Sequence, residues 1–191
     1  MRRALNWLEK ENALRPVADR MLYGALLLKA VALALRQYPE FNGFWADGRP
    51  QPSDRIHLGV AVSLRQGGLI APALHDADRL SVGELMCALR DLVERARTGA
   101  LRGSELSDPT ITVTNLGERG VETVFGVIYP PQVALVGFGR IVERPWVVNG
   151  QVAATPTINA TLAGDHRASD GYRGARLLAA VERLMQEPEK L

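Results

Sequence analysis

The chain has 191 residues, 47% of them apolar, which suits one domain with a core of its own. Its 23 Lys+Arg against 21 Asp+Glu leave a net charge of +2, which excludes charge-driven binding of nucleic acid or an anionic membrane as the main activity. Cys87 is the single cysteine, so no intrachain disulfide framework or cysteine-based zinc site can form, and a reducing compartment fits. The most apolar stretch, Ala25 to Leu35, is too short to span a bilayer and is interrupted by Lys29. The N-terminus turns charged where a secretory signal needs its apolar run, so a cytoplasmic location is expected.

Taken in order, apolar residues at Leu22, Leu26, Val31, Leu33 and Leu35 predict a helix from about Asp19 to Tyr38, stopped by Pro39. It is apolar nearly all round and should lie under a sheet or at a subunit contact. Phe41 to Asp54, with Asn42-Gly43, Asp47-Gly48, Pro50 and Pro52, reads as a loop or short hairpin. Strands are expected over Ile56–Ser63 and Leu69–Leu74. Ser81 and Glu84 have the spacing of a capping box, and Val82, Leu85, Met86, Leu89, Leu92, Val93 and Ala96 form one helical face before Gly99. A polar loop follows.

Thr110 to Thr114 is β-branched throughout, and Asn115-Leu116-Gly117 should end it. A short buried strand, Val133–Val136, precedes a hairpin in which Asn149-Gly150 joins Trp146–Val148 to Gln151–Ala153 through a type I′ turn. The last strand is expected over Thr157–Leu162. The closing helix should start near Gly171 with Asp170 as its N-cap and bury Leu177, Leu178, Val181, Leu184 and Met185. The fold class is therefore mixed α/β, an α+β arrangement of one sheet with flanking helices, in a single domain spanning residues 1–191.

Of the three histidines, His57 lies within a strand pattern and His75 beside Asp76 and Asp78, and both read as structural or solvated. None has metal-ligand spacing, and no metal is expected. His166 differs. Asp165-His166-Arg167-Ala168-Ser169-Asp170-Gly171 places an acid, a base and a glycine at a strand-to-helix junction, where reactive groups are commonly displayed. The same residues also admit a purely structural reading, with Asp170 capping the helix, Gly171 easing the turn and Arg167 pairing with Asp165.

Asp165–Gly171 fits D-H-R-x-x-D-G and resembles the active-site signature of the catalytic domains of dihydrolipoamide acyltransferases, the core components of 2-oxo acid dehydrogenase complexes. Five other blocks resemble the family in the same order. They are Lys29–Leu35 with Pro39 and Asn42, Leu58–Val62, Gly68–Pro72, Ile111–Gly117, and Pro130–Gly137 with Gly139-Arg140-Ile141.

The resemblance implies a chloramphenicol acetyltransferase-like fold that forms trimers, or a higher symmetric core built from them. It implies transfer of an acyl group between dihydrolipoamide and coenzyme A, with the lipoyl group carried on another domain or chain. His166 would be the general base and Thr114 the hydroxyl that stabilises the oxyanion, with Asp170 holding the architecture around the histidine. Asn115, Gly117, Arg167 and Gly171 would contribute to substrate binding. Dehydrogenase components or a full-length acyltransferase are the expected partners, with no nucleic acid or membrane among them. Two departures stand out. The chain is expected to lack the family's first helix and strand, and Gly164 stands where the family commonly has a bulky or aromatic residue. The alternatives are an inactive homologue serving as an assembly scaffold and a small-molecule acetyltransferase of the chloramphenicol type.

Overall fold

The computed structural model describes residues 1–64, 67–118 and 120–191. The chain opens with two helices, α1 (Arg2–Ala13) and α2 (Tyr23–Leu35), and ten of the thirteen residues of α2 are buried. The apolar surface of α2 is accordingly covered by α1 and by two later helices rather than by solvent. This helix is shorter than the sequence suggests, because Val17–Asp19 and Pro39–Phe41 form separate single turns of 3-10 helix at either end. Lys29, buried in the middle of α2, donates from Nζ to the carbonyls of Asp78 and Leu80, so its charge is not left without partners.

The turn-rich segment is a hairpin of β1 (Gly43–Ala46) and β2 (Arg49–Pro52), closed by Asp47 and Gly48 at φ 54° and 72°. The two expected strands that follow are each broken in two, as β3 (Leu58–Val60), β4 (Val62–Ser63), β5 (Leu69–Ile70) and β6 (Ala73–Leu74). The cause is a divergence of pairing: β3 and β6 belong to the main sheet, β4 and β5 form a ribbon beside it, and Pro72 lies between β5 and β6. Helix α3 (Val82–Thr98) has the capping box in full, with Ser81 Oγ accepting from Glu84 N and the Glu84 carboxylate accepting from Ser81 N. Leu89 and Val93 of its expected buried face are only half-buried. The expected polar loop holds a short helix, α4 (Gly103–Ser107), whose buried Glu105 accepts from Arg102 N and pairs with Arg95.

Next come β7 (Ile111–Asn115), β8 (Ala134–Phe138), the hairpin of β9 (Val142–Val148) and β10 (Gln151–Thr157), β11 (Ala160–Gly164) and α5 (Gly171–Gln186). Asn149 and Gly150 close the hairpin at φ 52° and 79°, as a type I′ turn requires. The last strand lies further along than expected, since Thr157 pairs with Val142 in the hairpin and β11 pairs with β8. Instead of one sheet, the strands form a five-stranded mixed sheet, β11-β8-β7-β3-β6, with β1–β2, β4–β5 and β9–β10 as separate ribbons. Its centre is parallel (β3, β7, β8), so those strands are buried on both faces, and the successive residues His57, Leu58 and Gly59 are all buried. The core runs between this sheet and the helices through Leu26, Phe41, Leu58, Leu85, Ile111 and Leu177. Among the described residues, no helix is long and apolar enough to cross a membrane.

Candidate active site

His166 follows directly from the end of β11. Asp165 N donates to Val133 O at 2.7 Å, tying the exit of β11 to the start of β8. The Asp165 carbonyl then accepts from Ala168 N and Ser169 N, which folds residues 165–169 into a tight turn. Asp170 Oδ1 accepts from Arg173 N at 2.8 Å and caps α5, as the sequence suggests. Gly171 opens the helix in open space: an added Cβ would meet nothing within 4 Å, and its φ is not left-handed. The turn therefore does not require a glycine there.

Arg167 is occupied twice. Its Nε and Nη2 donate to Asp165 at 3.0 and 2.7 Å, and its guanidinium lies over the Trp45 ring of β1. The Arg167 side chain holds the Asp165 carboxyl down at about 2, so this pair stays ionised across the physiological range. His166, between the two, is exposed and makes no hydrogen bond among the described residues. A Cβ at Gly164 would make only ordinary contacts, 3.5 Å from Phe41 Cε1 and 3.6 Å from Ser169 Oγ, so the turn does not require a glycine there either.

Thr114 lies near the end of β7. In a strand the side chains of Thr110, Thr112 and Thr114 share one face. Thr110 Oγ1 donates to Asn42 Oδ1 at 2.6 Å, and Thr112 Oγ1 donates to Gln132 Oε1 at 2.7 Å. Gln132 Nε2 in turn donates to Pro109 O, which completes a buried polar belt. Thr114, half-buried, has no such partner among the described residues, so its hydroxyl is uncommitted. Asn115 Oδ1 accepts from Gly117 N at 3.0 Å, and Gly117 takes φ 65°, which ends the strand as expected.

Strand register decides how these two ends relate. Thr114 is opposite Gly137 of β8, Gly137 is opposite Thr161 of β11, and β11 then runs three residues back to Gly164, opposite Ala134. Three strand steps amount to about 10 Å, and His166 lies beyond them. The hydroxyl and the imidazole therefore sit at opposite ends of the sheet, and one chain does not bring them together.

His57 and His75 form a separate cluster. His57 Nδ1 accepts from Asp76 N at 3.0 Å, its ring meets His75 edge-on at 4.8 Å between centroids, and His75 Nε2 is 3.1 Å from Asp108 Oδ2. Burial and then the neighbouring His75 push the His57 imidazole below its ordinary value. Among the described residues, no group of three or more His, Cys, Asp or Glu could hold a metal ion. Sequence reasoning gave no role to Trp45, Phe41 or the Asn42–Thr110 and Thr112–Gln132 pairs. The available signal was a run of polar side chains at strand positions with buried neighbours.

A profile described as 2-oxoacid dehydrogenases acyltransferase (catalytic domain) matches residues 1–191. The chain is 32% identical over 162 residues to the dihydrolipoyllysine-residue acetyltransferase component of the pyruvate dehydrogenase complex of Rickettsia bellii, covering 85% of this chain and 38% of that protein. It is 34% identical over 172 residues to the succinyltransferase component of the 2-oxoglutarate dehydrogenase complex of Haemophilus influenzae, covering 90% and 42%. The chain thus spans roughly two fifths of the length of these curated relatives. Among solved structures, the dihydrolipoamide acetyltransferase of Azotobacter vinelandii superposes with a TM-score of 0.87 at 26% identity, covering 97% of this chain and 77% of that one. In that enzyme a serine, a histidine 52 positions later and an asparagine four beyond it have been investigated for their role in the catalytic mechanism, and these are the spacings of Thr114, His166 and Asp170. The cubic core of a pyruvate dehydrogenase multienzyme complex superposes with a TM-score of 0.88 at 27% identity, covering 97% and 77%. A chloramphenicol acetyltransferase shares the fold at a TM-score of 0.56 and 17% identity, covering 86% and 78%.

Proposed function

The chain belongs to the family of 2-oxoacid dehydrogenase acyltransferase catalytic domains, and from that membership we propose that it transfers an acyl group between dihydrolipoamide and coenzyme A. Residues 1–191 act as one catalytic domain, and the lipoyl group arrives on another domain or chain. His166 takes the proton of the attacking thiol while the sulfur bonds to the thioester carbonyl carbon. Thr114 donates to the oxyanion that forms. When the tetrahedral adduct collapses, the second sulfur leaves and recovers the proton from the His166 imidazolium, so each half of the exchange returns the enzyme to its starting protonation state.

The observation that carries this reading is that Thr114 and His166, at opposite ends of the sheet, each have a side chain with no hydrogen-bond partner among the described residues. Because those ends are far apart within a chain, the catalytic pair is completed by a second copy, in a homotrimer or a larger symmetric core made of trimers. Asp165 and Arg167 fix the turn that carries the base, and Asp170 fixes the helix after it. Asn115 and Gly117 border the acyl group at the Thr114 end.

The test is a coenzyme A acyl-transfer assay with free dihydrolipoamide and acetyl, succinyl or branched acyl donors, on protein of known oligomeric mass. His166→Ala should lower the rate by about 10²–10⁴-fold, and Thr114→Ala by about 10²–10³-fold. A well-folded assembly that transfers none of these groups would replace the enzyme with a scaffold for a full-length acyltransferase.

A further inference from the structure

β11 stands at the end of the five-stranded sheet and pairs only with β8 among the described residues. Two hydrogen bonds just beyond this pairing show which of its backbone groups are used. Gly139 N donates to Asn159 O and Asp165 N donates to Val133 O, so the odd-numbered residues from Asn159 to Asp165 direct their groups toward β8 and its flanks. In an antiparallel ladder the residues between them face the other way. The N–H and C=O of Ala160, Leu162 and Gly164 therefore point off the edge of the sheet, and none has a backbone partner among the described residues. Proteins commonly blunt such an edge with a charge or a proline, and Ala160–Gly164 carries neither.

A groove of about 1040 Å³ opens at the Ala160 end of this edge. It is lined by Leu178 and Ala179 of α5, by Trp146 and its cross-strand partner Ala153 of the β9–β10 hairpin, and by Phe138 and Ala160 of the sheet. Trp146 is 56% exposed, so the groove is wide enough to leave an indole uncovered. Its charged residues are Arg2 and Arg3 against the one carboxylate of Glu182, a balance that favours an acidic occupant. The superposition described above covers 77% of the Azotobacter vinelandii chain, so that acetyltransferase has further chain with no counterpart here. We infer that the β11 edge takes a sixth strand from a partner acyltransferase chain. The occupant is an extended segment whose main chain bonds to Ala160, Leu162 and Gly164, whose apolar side chains enter the groove, and whose carboxylate meets Arg2 and Arg3. This pairing needs no catalytic step, so it stands or falls separately from the transferase reading.

The probes are overlapping peptides of about ten residues, covering the part of the Azotobacter vinelandii chain that this chain does not match. Amide hydrogen exchange followed by NMR should show Ala160, Leu162 and Gly164 exchanging readily in the free chain, while Thr161 and Ala163 are protected by β8. One peptide should slow the first set by about tenfold or more and leave the second unchanged. Ala160→Pro deletes one outward N–H at the first residue of an edge strand, where proline is tolerated, and should weaken binding of that peptide by about tenfold at an unchanged unfolding midpoint. If the proline variant does not fold, Ala179→Arg, at an exposed position in the groove, should give the same loss. Arg3→Glu should weaken binding as well, most strongly at low salt. Equal protection of both sets in the free chain, no peptide that slows the first set, or binding undiminished by the groove variants overturns the inference. Protection that grows with the concentration of the chain alone, without peptide, also overturns it and gives the edge to a second copy.

Discussion

The guanidinium carbon of Arg167 lies 4.3 Å from the centroid of the Trp45 ring, with Asp165 holding the other side of the same group. This joins the turn that carries His166 to the β1–β2 hairpin, which is itself fixed by Trp45 N donating to Pro131 O. Trp45→Ala should lower stability, because it removes a half-buried ring together with its contact to the Arg167 guanidinium. It should lower kcat as well, by letting the histidine wander from its working position. Trp45→Phe, which keeps a π face, should recover most of the rate. Chemical denaturation and steady-state kinetics on the three proteins measure the two effects separately.

His166→Ala and Thr114→Ala chains, each inactive alone, should regain activity when unfolded together in equal amounts and reassembled. In the proposed two-chain site each productive centre needs an intact histidine from one chain and an intact threonine from its neighbour, and random mixing in a cyclic assembly gives that combination at about one quarter of sites. A mixture as inactive as its parts would mean that histidine and threonine act within a single chain.

Asp170→Ala should lower stability by about 1 kcal/mol through loss of the cap on α5, and Asp170→Ser should restore most of it. The midpoint of urea unfolding reports this. If Asp170 serves the fold around the histidine rather than the reaction, Asp170→Ser should also restore the rate.

Acid should weaken the protein through His57. Its folded-state value is depressed from 6.5 because burial and His75 disfavour the cation, and Nδ1 is needed as the acceptor for Asp76 N. A depressed value means that the unfolded chain binds the proton more readily. Stability from this site is complete above about pH 6.5, the unfolded value, and falls as the pH drops below it toward the folded value. His57→Asn, which offers Oδ1 in place of Nδ1 and does not titrate, should flatten the dependence of unfolding free energy on pH just below about 6.5, the unfolded value. The same slope in the variant would assign the acid sensitivity elsewhere.

Local chemistry made much of the fold legible. The Ser81–Glu84 box, the Asp170 cap and the Asn149-Gly150 turn each specify a geometry with a few adjacent residues, and each is present. What escaped reading depends on pairing across the chain. Nothing within Ile56–Ser63 says that its second half leaves the sheet for a ribbon with β5, and the polarity of Gly103–Ser107 hides a helix anchored by the remote Arg95. The site divides in the same way. The histidine turn could be recognised as a string, whereas the clamp from Trp45 comes from a residue more than a hundred positions away.

The distance between Thr114 and His166 also ties output to concentration. If a working site forms only where two chains meet, specific activity must fall on dilution below the dissociation constant of the assembly while every chain stays folded. Circular dichroism would then register no change in a sample that has lost its catalytic power, and adding more of the same chain, even one lacking its own histidine, would restore part of it.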